Sequence, residues 1–172
     1  MQGKCIIIMG VSGSGKSTIA KAIQKKTGAI FLEGDEFHSP ENIAKMHSGH
    51  PLNDQDRAGW LQAIHQKVQE ITLQGKDVIV SCSALKKNYR EVLREHIDHL
   101  LFLYLKGSFA LIHSWMVARK NHFMPAKLLK SQFDTLEEPT AAEKDTVTIH
   151  LQPNLKKEIY QVFDRLKARG YL

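Results

Sequence analysis

The eight residues Gly10-Val11-Ser12-Gly13-Ser14-Gly15-Lys16-Ser17 constrain this chain more than any other stretch. They spell G-x-x-x-x-G-K-S, with the apolar run Cys5-Ile6-Ile7-Ile8-Met9 before them and a helix-compatible stretch, Thr18 to Lys26, after them. Strand, glycine-rich loop and helix form the context in which this pattern, the P-loop, cradles phosphate. The glycines let successive backbone N–H groups turn inward, and the new helix adds its positive N-terminal end at the same point. Lys16 can reach the β- and γ-phosphates, the Ser17 hydroxyl can ligate Mg²⁺, and Thr18 follows in the first helical turn. A Gly/Ser turn with a lysine beside it by chance would not carry the correct flank on both sides. The pattern implies a bound nucleoside triphosphate.

At 172 residues the chain is expected to form one domain, residues 1–172, with room for a sizeable core. No apolar run approaches the roughly 18 residues of a membrane span, and the N-terminal apolar run leads into the phosphate loop rather than a cleavage site. A cytoplasmic protein without a membrane partner is expected. The net charge is +6. A basic balance can serve nucleic acid, but no arginine-rich tract, aromatic-interleaved stripe or zinc-finger spacing accompanies it. A cationic pocket for a triphosphate and an anionic substrate is the simpler reading, with no nucleic-acid partner. Cys5 and Cys82 fall in apolar strand segments, as reduced thiols acting as small apolar residues do. The histidines form no H-x-x-x-H or Cys/His ligand set, and His47 and His50 share a loop too loosely patterned for a metal pair.

Further strand signals are Ala29-Ile30-Phe31-Leu32, Val78-Ile79-Val80, Leu100 to Leu105 and Val147-Thr148-Ile149. Short continuous apolar runs separated by helical stretches indicate parallel strands covered on both faces. Leu61, Ile64, Val68 and Ile71 mark one helix, capped by Asn53 or Asp54 and stopped at Gly75; Leu155, Ile159, Val162, Phe163 and Leu166 mark the last, with Gly170 beyond it. The β-α alternation predicts an α/β fold, a three-layer α/β/α sandwich around a parallel five-stranded sheet.

Ligands in such sheets sit at the carboxyl ends of the strands. Glu33 and Asp35 follow the second strand, one residue apart, so an extended backbone would point both the same way. Transfer of a phosphoryl group to a hydroxyl needs a proton acceptor and a carboxylate near the metal. Asp35 is assigned the first task and Glu33 the second, through water; solvated turn carboxylates are the plain alternative. His38 suits a substrate hydroxyl or a cap. Arg57 lies in the first turn of a helix, where a cation is unfavourable unless an anion faces it. It is a candidate clamp for a substrate carboxylate, against a salt bridge to Asp54 or Asp56. Of Lys86, Lys87 and Arg90 after the third strand, one or two could face an anion. Phe109 to Asn121 reads as a helix running into a loop with Arg119, Lys120 and His122, and Pro125 restarts a helix through Phe133. A cationic lid over residues 115–135 would exclude water from the reaction. Trp115 on that lid is either core or an aromatic face for a base.

Together these motifs resemble the gluconate kinases, within the shikimate-kinase and nucleoside-monophosphate-kinase-like branch of P-loop kinases. The resemblance covers nearly the whole chain. Beyond the P-loop it rests on Gly34-Asp35 with His38, Asn42 and Lys45-Met46; on Gly49, Pro51-Leu52-Asn53-Asp54 and Asp56-Arg57 with Trp60-Leu61; and on Cys82 to Lys87 with Tyr89-Arg90. Tyr104 to Gly107, Asn121 to Pro125, Gln132-Phe133, Thr135-Leu136-Glu137 and Pro139 complete it. The resemblance implies a cytoplasmic, homodimeric, Mg²⁺-dependent enzyme that moves the ATP γ-phosphate to the 6-hydroxyl of D-gluconate. It implies that Gly10 to Thr18 hold the phosphates and that Lys16, Asp35 and Arg119 act in the chemistry. It further implies that Arg57 meets the substrate carboxylate, that His38, Ser83, Lys86, Arg90 and His122 line the acid site, and that Pro153 flanks adenine. Three positions depart from the family pattern: Trp115 stands where an arginine is usual, Asn121 replaces a lid glycine, and Glu33 replaces the more frequent aspartate. Kinases of shikimate or another aldonate, and an ATP-binding regulator without catalysis, are the competing readings; retention of Lys16, Ser17 and Asp35 disfavours the last.

Overall fold

The structure is a computed structural model and describes residues 1–119 and 126–172. In chain order the elements are β1 (Cys5–Met9), α1 (Lys16–Thr27), β2 (Ile30–Glu33), a 3-10 turn (Gly34–Phe37), α2 (Pro40–His47), α3 (Asp54–Leu73), β3 (Val78–Ser81), α4 (Lys87–Arg94), β4 (Leu100–Lys106), α5 (Phe109–Ala118), α6 (Ala126–Thr135), β5 (Thr146–His150) and α7 (Leu155–Ala168). The five strands pair in parallel in the order β2-β3-β1-β4-β5. The expected α/β fold is present.

Burial follows position in that order. Every residue of β1 and β3 is buried, and β4 is buried through Leu105. Strands covered on both faces read as continuous apolar runs. Edge strand β5 instead alternates, burying Val147 and Ile149 while Thr146 and Thr148 lie nearer solvent. Handedness then sets the helices. The step from β1 to β2 runs one way across the sheet and the steps β2-β3, β3-β4 and β4-β5 run the other. Right-handed crossovers therefore put α1 on one face and α3, α4 and the β4-β5 helices on the opposite face. The contacts agree: α1 packs with α7, α3 with α4, and α5 with α6. The loops after β1 and β3 thus leave toward opposite faces and open a crevice between them, where α/β sheets bind ligands.

Several boundaries differ from the sequence reading. β2 runs to Glu33, and the chain then enters the 3-10 turn instead of staying extended. Gly34 causes this: a Cβ there would stand 2.1 Å from the Ser81 carbonyl oxygen. Only a residue without a side chain turns so close to β3. Glu33 and Asp35 consequently do not share a strand face as expected. Helix α5 ends at Ala118 and gives way to Arg119, in keeping with a helix running into a loop, and Asn121, His122 and Pro125 lie outside the described residues. Helix α2 was not expected, although Ser39 followed by Pro40 is a start signal. The Ser39 hydroxyl accepts the Asn42 N–H at 3.1 Å. Helix α3 starts as expected, with Asn53 and Asp56 forming a reciprocal capping box.

Candidate active site

The phosphate loop leaves β1 with Gly10, Gly13 and Gly15 all at positive φ. Gly15 is also the N-cap of α1, so the helix begins at Lys16 with its free N–H groups directed at the loop. Lys16 Nζ donates to the Gly10 and Val11 carbonyls at 3.1 and 3.0 Å. Burial pulls the affinity of this ammonium for its proton below the usual lysine range, and the charges of Asp35 and Glu33 pull it back up while Arg119 lowers it further.

The carboxylates approach this loop in two ways. Glu33 accepts from the Ser17 hydroxyl at 2.7 Å through Oε2 and, through Oε1, makes a short bond with the Ser81 hydroxyl. A hydroxyl and a carboxylate side by side at the start of α1 form the hard oxygen pair that Mg²⁺ favours. Asp35, carried past Glu33 by the 3-10 turn, lines a cavity of 270 Å³ together with Lys16, Ser12, His38, Arg57, Trp60, Ser83 and Gln132. Trp60 holds the turn in place, donating from Nε1 to the Gly34 carbonyl at 2.7 Å. Its indole also stacks on His38, with ring centroids 4.3 Å apart. Burial pushes His38 below the ordinary imidazole range; Asp35 opposes that and Arg57 adds to it. Asn42 Nδ2 is identified by its 2.8 Å bond to the Asp56 carbonyl, and it also lies 3.4 Å from His38 Nδ1. A donor there makes Nδ1 the acceptor and leaves the proton on Nε2.

Arg57 is buried, 6% exposed, and faces the cavity with only a 3.3 Å bond to the Tyr89 hydroxyl and that ring's face beside it. The expected rivals for its charge are engaged elsewhere: Lys86 bonds Asp54 at 2.9 Å and Lys45 bonds Asp56 at 2.6 Å. Among the described residues Arg57 forms no ion pair, so a buried cation is left open to an anionic ligand.

The other expected members among the described residues do not line this cavity. Arg90, expected in the acid site, is fully buried. It grips Glu143 through two bonds of 2.8 and 2.7 Å and donates to the Ala84 carbonyl at 3.0 Å. No donor edge of it faces the cavity. Its effect on the site is indirect, because Ala84 follows Ser83 and carries a positive φ of 45° that the bond helps hold. Lys86, also expected there, turns to Asp54 on the rim and is not among the cavity-lining residues. Trp115 packs half-buried against the core. Arg119 follows the last turn of α5. Pro153 is exposed after β5, in a loop whose Gln152 N–H is held at 3.0 Å by buried Glu158. His122 lies outside the described residues. One member carried no assigned role: Gln132 of α6, whose Oε1 accepts the Ser12 N–H at 2.6 Å. Its presence in the motif Gln132-Phe133 was the available signal.

The Arg90–Glu143 contact yields a stability prediction. The Arg90 guanidinium, aided by Arg94 and opposed by burial, holds the Glu143 carboxyl at about 2. Arg90→Met strips a buried carboxylate of its main partner and is expected to cost about 3–5 kcal/mol near neutral pH, measured by denaturant unfolding. A depressed folded value contributes stability above the ordinary 4.5 that is lost as pH falls through about 2. The gap between the two proteins should therefore narrow over that interval.

A phosphate loop facing a carboxylate and a buried cation across the crevice of a parallel sheet defines a P-loop kinase. Residues 5–139 match the family described as AAA domain. The chain is 44% identical over 161 residues to the thermoresistant gluconokinase of Escherichia coli K12, covering 94% of this chain and 92% of that one. The crystal structure of a gluconokinase from Sinorhizobium meliloti 1021 superposes with a TM-score of 0.84 at 42% identity, covering 99% of this chain and 96% of the other. An unliganded sugar kinase from Janibacter sp. HTCC2649 superposes at 0.90 with 41% identity, covering 96% and 95%. The chain belongs to the gluconokinase family.

Proposed function

We propose that this protein transfers the γ-phosphate of ATP to the 6-hydroxyl of D-gluconate, giving ADP and 6-phospho-D-gluconate. The observation that carries the reading is one cavity lined by Lys16, Asp35 and Arg57. It joins the phosphate loop to a carboxylate and to a buried cation without an ionic partner. Its 270 Å³ lies just below the roughly 300–1,000 Å³ of typical ligand pockets, a size suited to a compact sugar acid.

In this reading Arg57 grips the gluconate carboxylate and His38 Nε2–H donates to a substrate hydroxyl, directing the far end of the chain toward Asp35. Asp35 takes the proton of the 6-hydroxyl as its oxygen bonds to the γ-phosphorus and the β–γ bridging oxygen leaves with ADP. Lys16 and the loop amides hold the phosphate oxygens as charge spreads over them. Ser17 and Glu33 would hold Mg²⁺, Glu33 through water; the ion would supply neutralisation of phosphate charge. Arg119, whose charge already bears on Lys16, would reach the ATP phosphates from the end of α5. Among the described residues no helix is long and apolar enough to cross a membrane, and both cysteines are free and buried. The free thiols support a reduced, cytoplasmic setting; the family resemblance adds a homodimer.

Coupled ADP release with Mg·ATP against gluconate, shikimate, other aldonates and nucleoside monophosphates tests the reading. Gluconate is expected to turn over fastest; silence with gluconate and turnover with another acid would sink the substrate assignment. In the same assay Arg57→Leu is expected to raise KM for gluconate about 10- to 100-fold, the range for losing a hydrogen bond to a charged group, with kcat much less affected. An unchanged KM would remove Arg57 from the acid site.

A further inference from the structure

Gln132 reaches from α6 into the phosphate loop, and its bond there determines which way its amide faces. Its Oε1 takes the Ser12 N–H at 2.6 Å. A backbone N–H only donates, so the atom facing it is the carbonyl oxygen and the side-chain nitrogen occupies the other branch. Among the described residues that Nε2 has no hydrogen-bond partner, and the residue lines the same cavity as Lys16, Asp35 and Ser83. With Oε1 committed to Ser12, the polar group Gln132 retains for the cavity is a pure donor.

The position is firmly supported. Leu128 and Leu129 of α6 are buried, and the Phe133 ring lies 5.6 Å from that of Phe109. Just beyond the helix, the Glu137 N–H donates to the Leu85 carbonyl at 2.8 Å, and its carboxylate accepts the Lys87 N–H at 2.9 Å. These bonds fasten the carboxyl end of α6 to the loop that carries Ser83. Donors held this way need no rearrangement as charge develops, the condition under which they lower a barrier most.

We propose that Gln132 is a further catalytic residue, donating from Nε2 to an equatorial oxygen of the phosphoryl group in transit between Lys16 and Asp35; this rests on the kinase reading of the site. The loop gives up the Ser12 N–H as a phosphate ligand and gains a donor placed further out, toward the acceptor. An amide suits that place. A lysine or arginine would pair with Asp35 and reduce its readiness to take a proton, whereas a neutral donor serves the transferring oxygens and leaves the carboxylate free.

Two substitutions separate this role from that of a structural tie between α6 and the loop. Gln132→Glu keeps an oxygen for the Ser12 N–H but replaces the donor by a second acceptor, while Gln132→Leu removes both. Steady-state rates with Mg·ATP and gluconate, acid-independent hydrolysis of Mg·ATP, and ADP affinity are measured for each. Q132E is expected to lower kcat about 10- to 100-fold, within reach of losing one preorganised donor, with KM for gluconate and ADP affinity within about threefold. Near-normal kcat in Q132E with a fall only in Q132L would make Gln132 a tie and overturn the proposal. So would a raised KM at unchanged kcat, which would make it a ligand of the acid. If gluconate is the wrong acid, the unmodified protein is inactive with it; the hydrolysis arm still reads the same phosphoryl group, and an unchanged hydrolysis rate in Q132E would again overturn the role. Should Q132E not fold, Gln132→Met removes the tie to Ser12 and the donor together, and ADP affinity then separates them: kcat loss at constant ADP affinity supports the donor, and unchanged kcat or a parallel loss of ADP affinity overturns it.

Discussion

Lys16→Met is expected to reduce turnover about 100- to 1,000-fold without unfolding the protein, the range for removing one preorganised electrostatic group from a transition state. Methionine keeps the length and most of the volume of the lysine stem, so the difference isolates the charge. That charge is already inside the loop, where Nζ bonds the Gly10 and Val11 carbonyls at 3.1 and 3.0 Å. Its burial disfavours the protonated form, and Asp35 and Glu33 offset that. The folded protein therefore bears a desolvation cost for this cation that methionine removes. Stability should hold or rise while catalysis falls, the opposite signs expected of a functional group rather than a structural one. Denaturant midpoints and kcat at saturating gluconate check both signs. Turnover within about tenfold of the unmodified protein would shift the phosphate charge to another cation, with Arg119 the first to substitute.

The phosphate loop was legible because it is contiguous: eight residues and two flanks carry the whole instruction. The strands were legible because each central one is a single apolar run; their order in the sheet, β2-β3-β1-β4-β5, was not. The proposed acid site was legible only in part. Arg57, Lys86 and Arg90 look alike in sequence, each a cation near a strand end or helix start. What separates them is the partner each finds. Glu143, 53 residues away, takes Arg90; Asp54, 32 residues away, takes Lys86; Arg57 is left for the cavity. No local pattern announces such pairings. The direction of Glu33 and Asp35 was misread for a related reason: the turn between them exists because Gly34 passes against Ser81 on a neighbouring strand. Gln132 was visible as a motif residue, but its hydrogen bond spans 120 residues and could be assigned only once α6 was seen beside the loop.

Asp35→Asn is expected to lower kcat about 100- to 10,000-fold, the range for general acid–base catalysis, with KM for gluconate within about threefold. The substitution preserves shape, and the turn that carries it is anchored elsewhere, by the 2.7 Å Trp60 bond to the Gly34 carbonyl. Two effects are removed together. The amide cannot take a proton from the attacking hydroxyl, and it no longer supplies the negative charge that favours protonated Lys16. Glu33 still supplies such a charge and lies by Ser17 at 2.7 Å, so loss of the base should dominate. Glu33→Gln separates the two: it too weakens the field at Lys16, yet its main expected effect is a higher Mg²⁺ requirement. His38 is a poor substitute base. Its Nδ1 faces the Asn42 amide and its Nε2 carries the proton, so it offers the cavity a donor. If Asp35→Asn retains more than about a tenth of the original kcat, the hydroxyl proton leaves by water instead. The loose transition state of phosphoryl transfer permits that, since the acceptor oxygen gains little positive charge before the bond to phosphorus is largely broken on the other side.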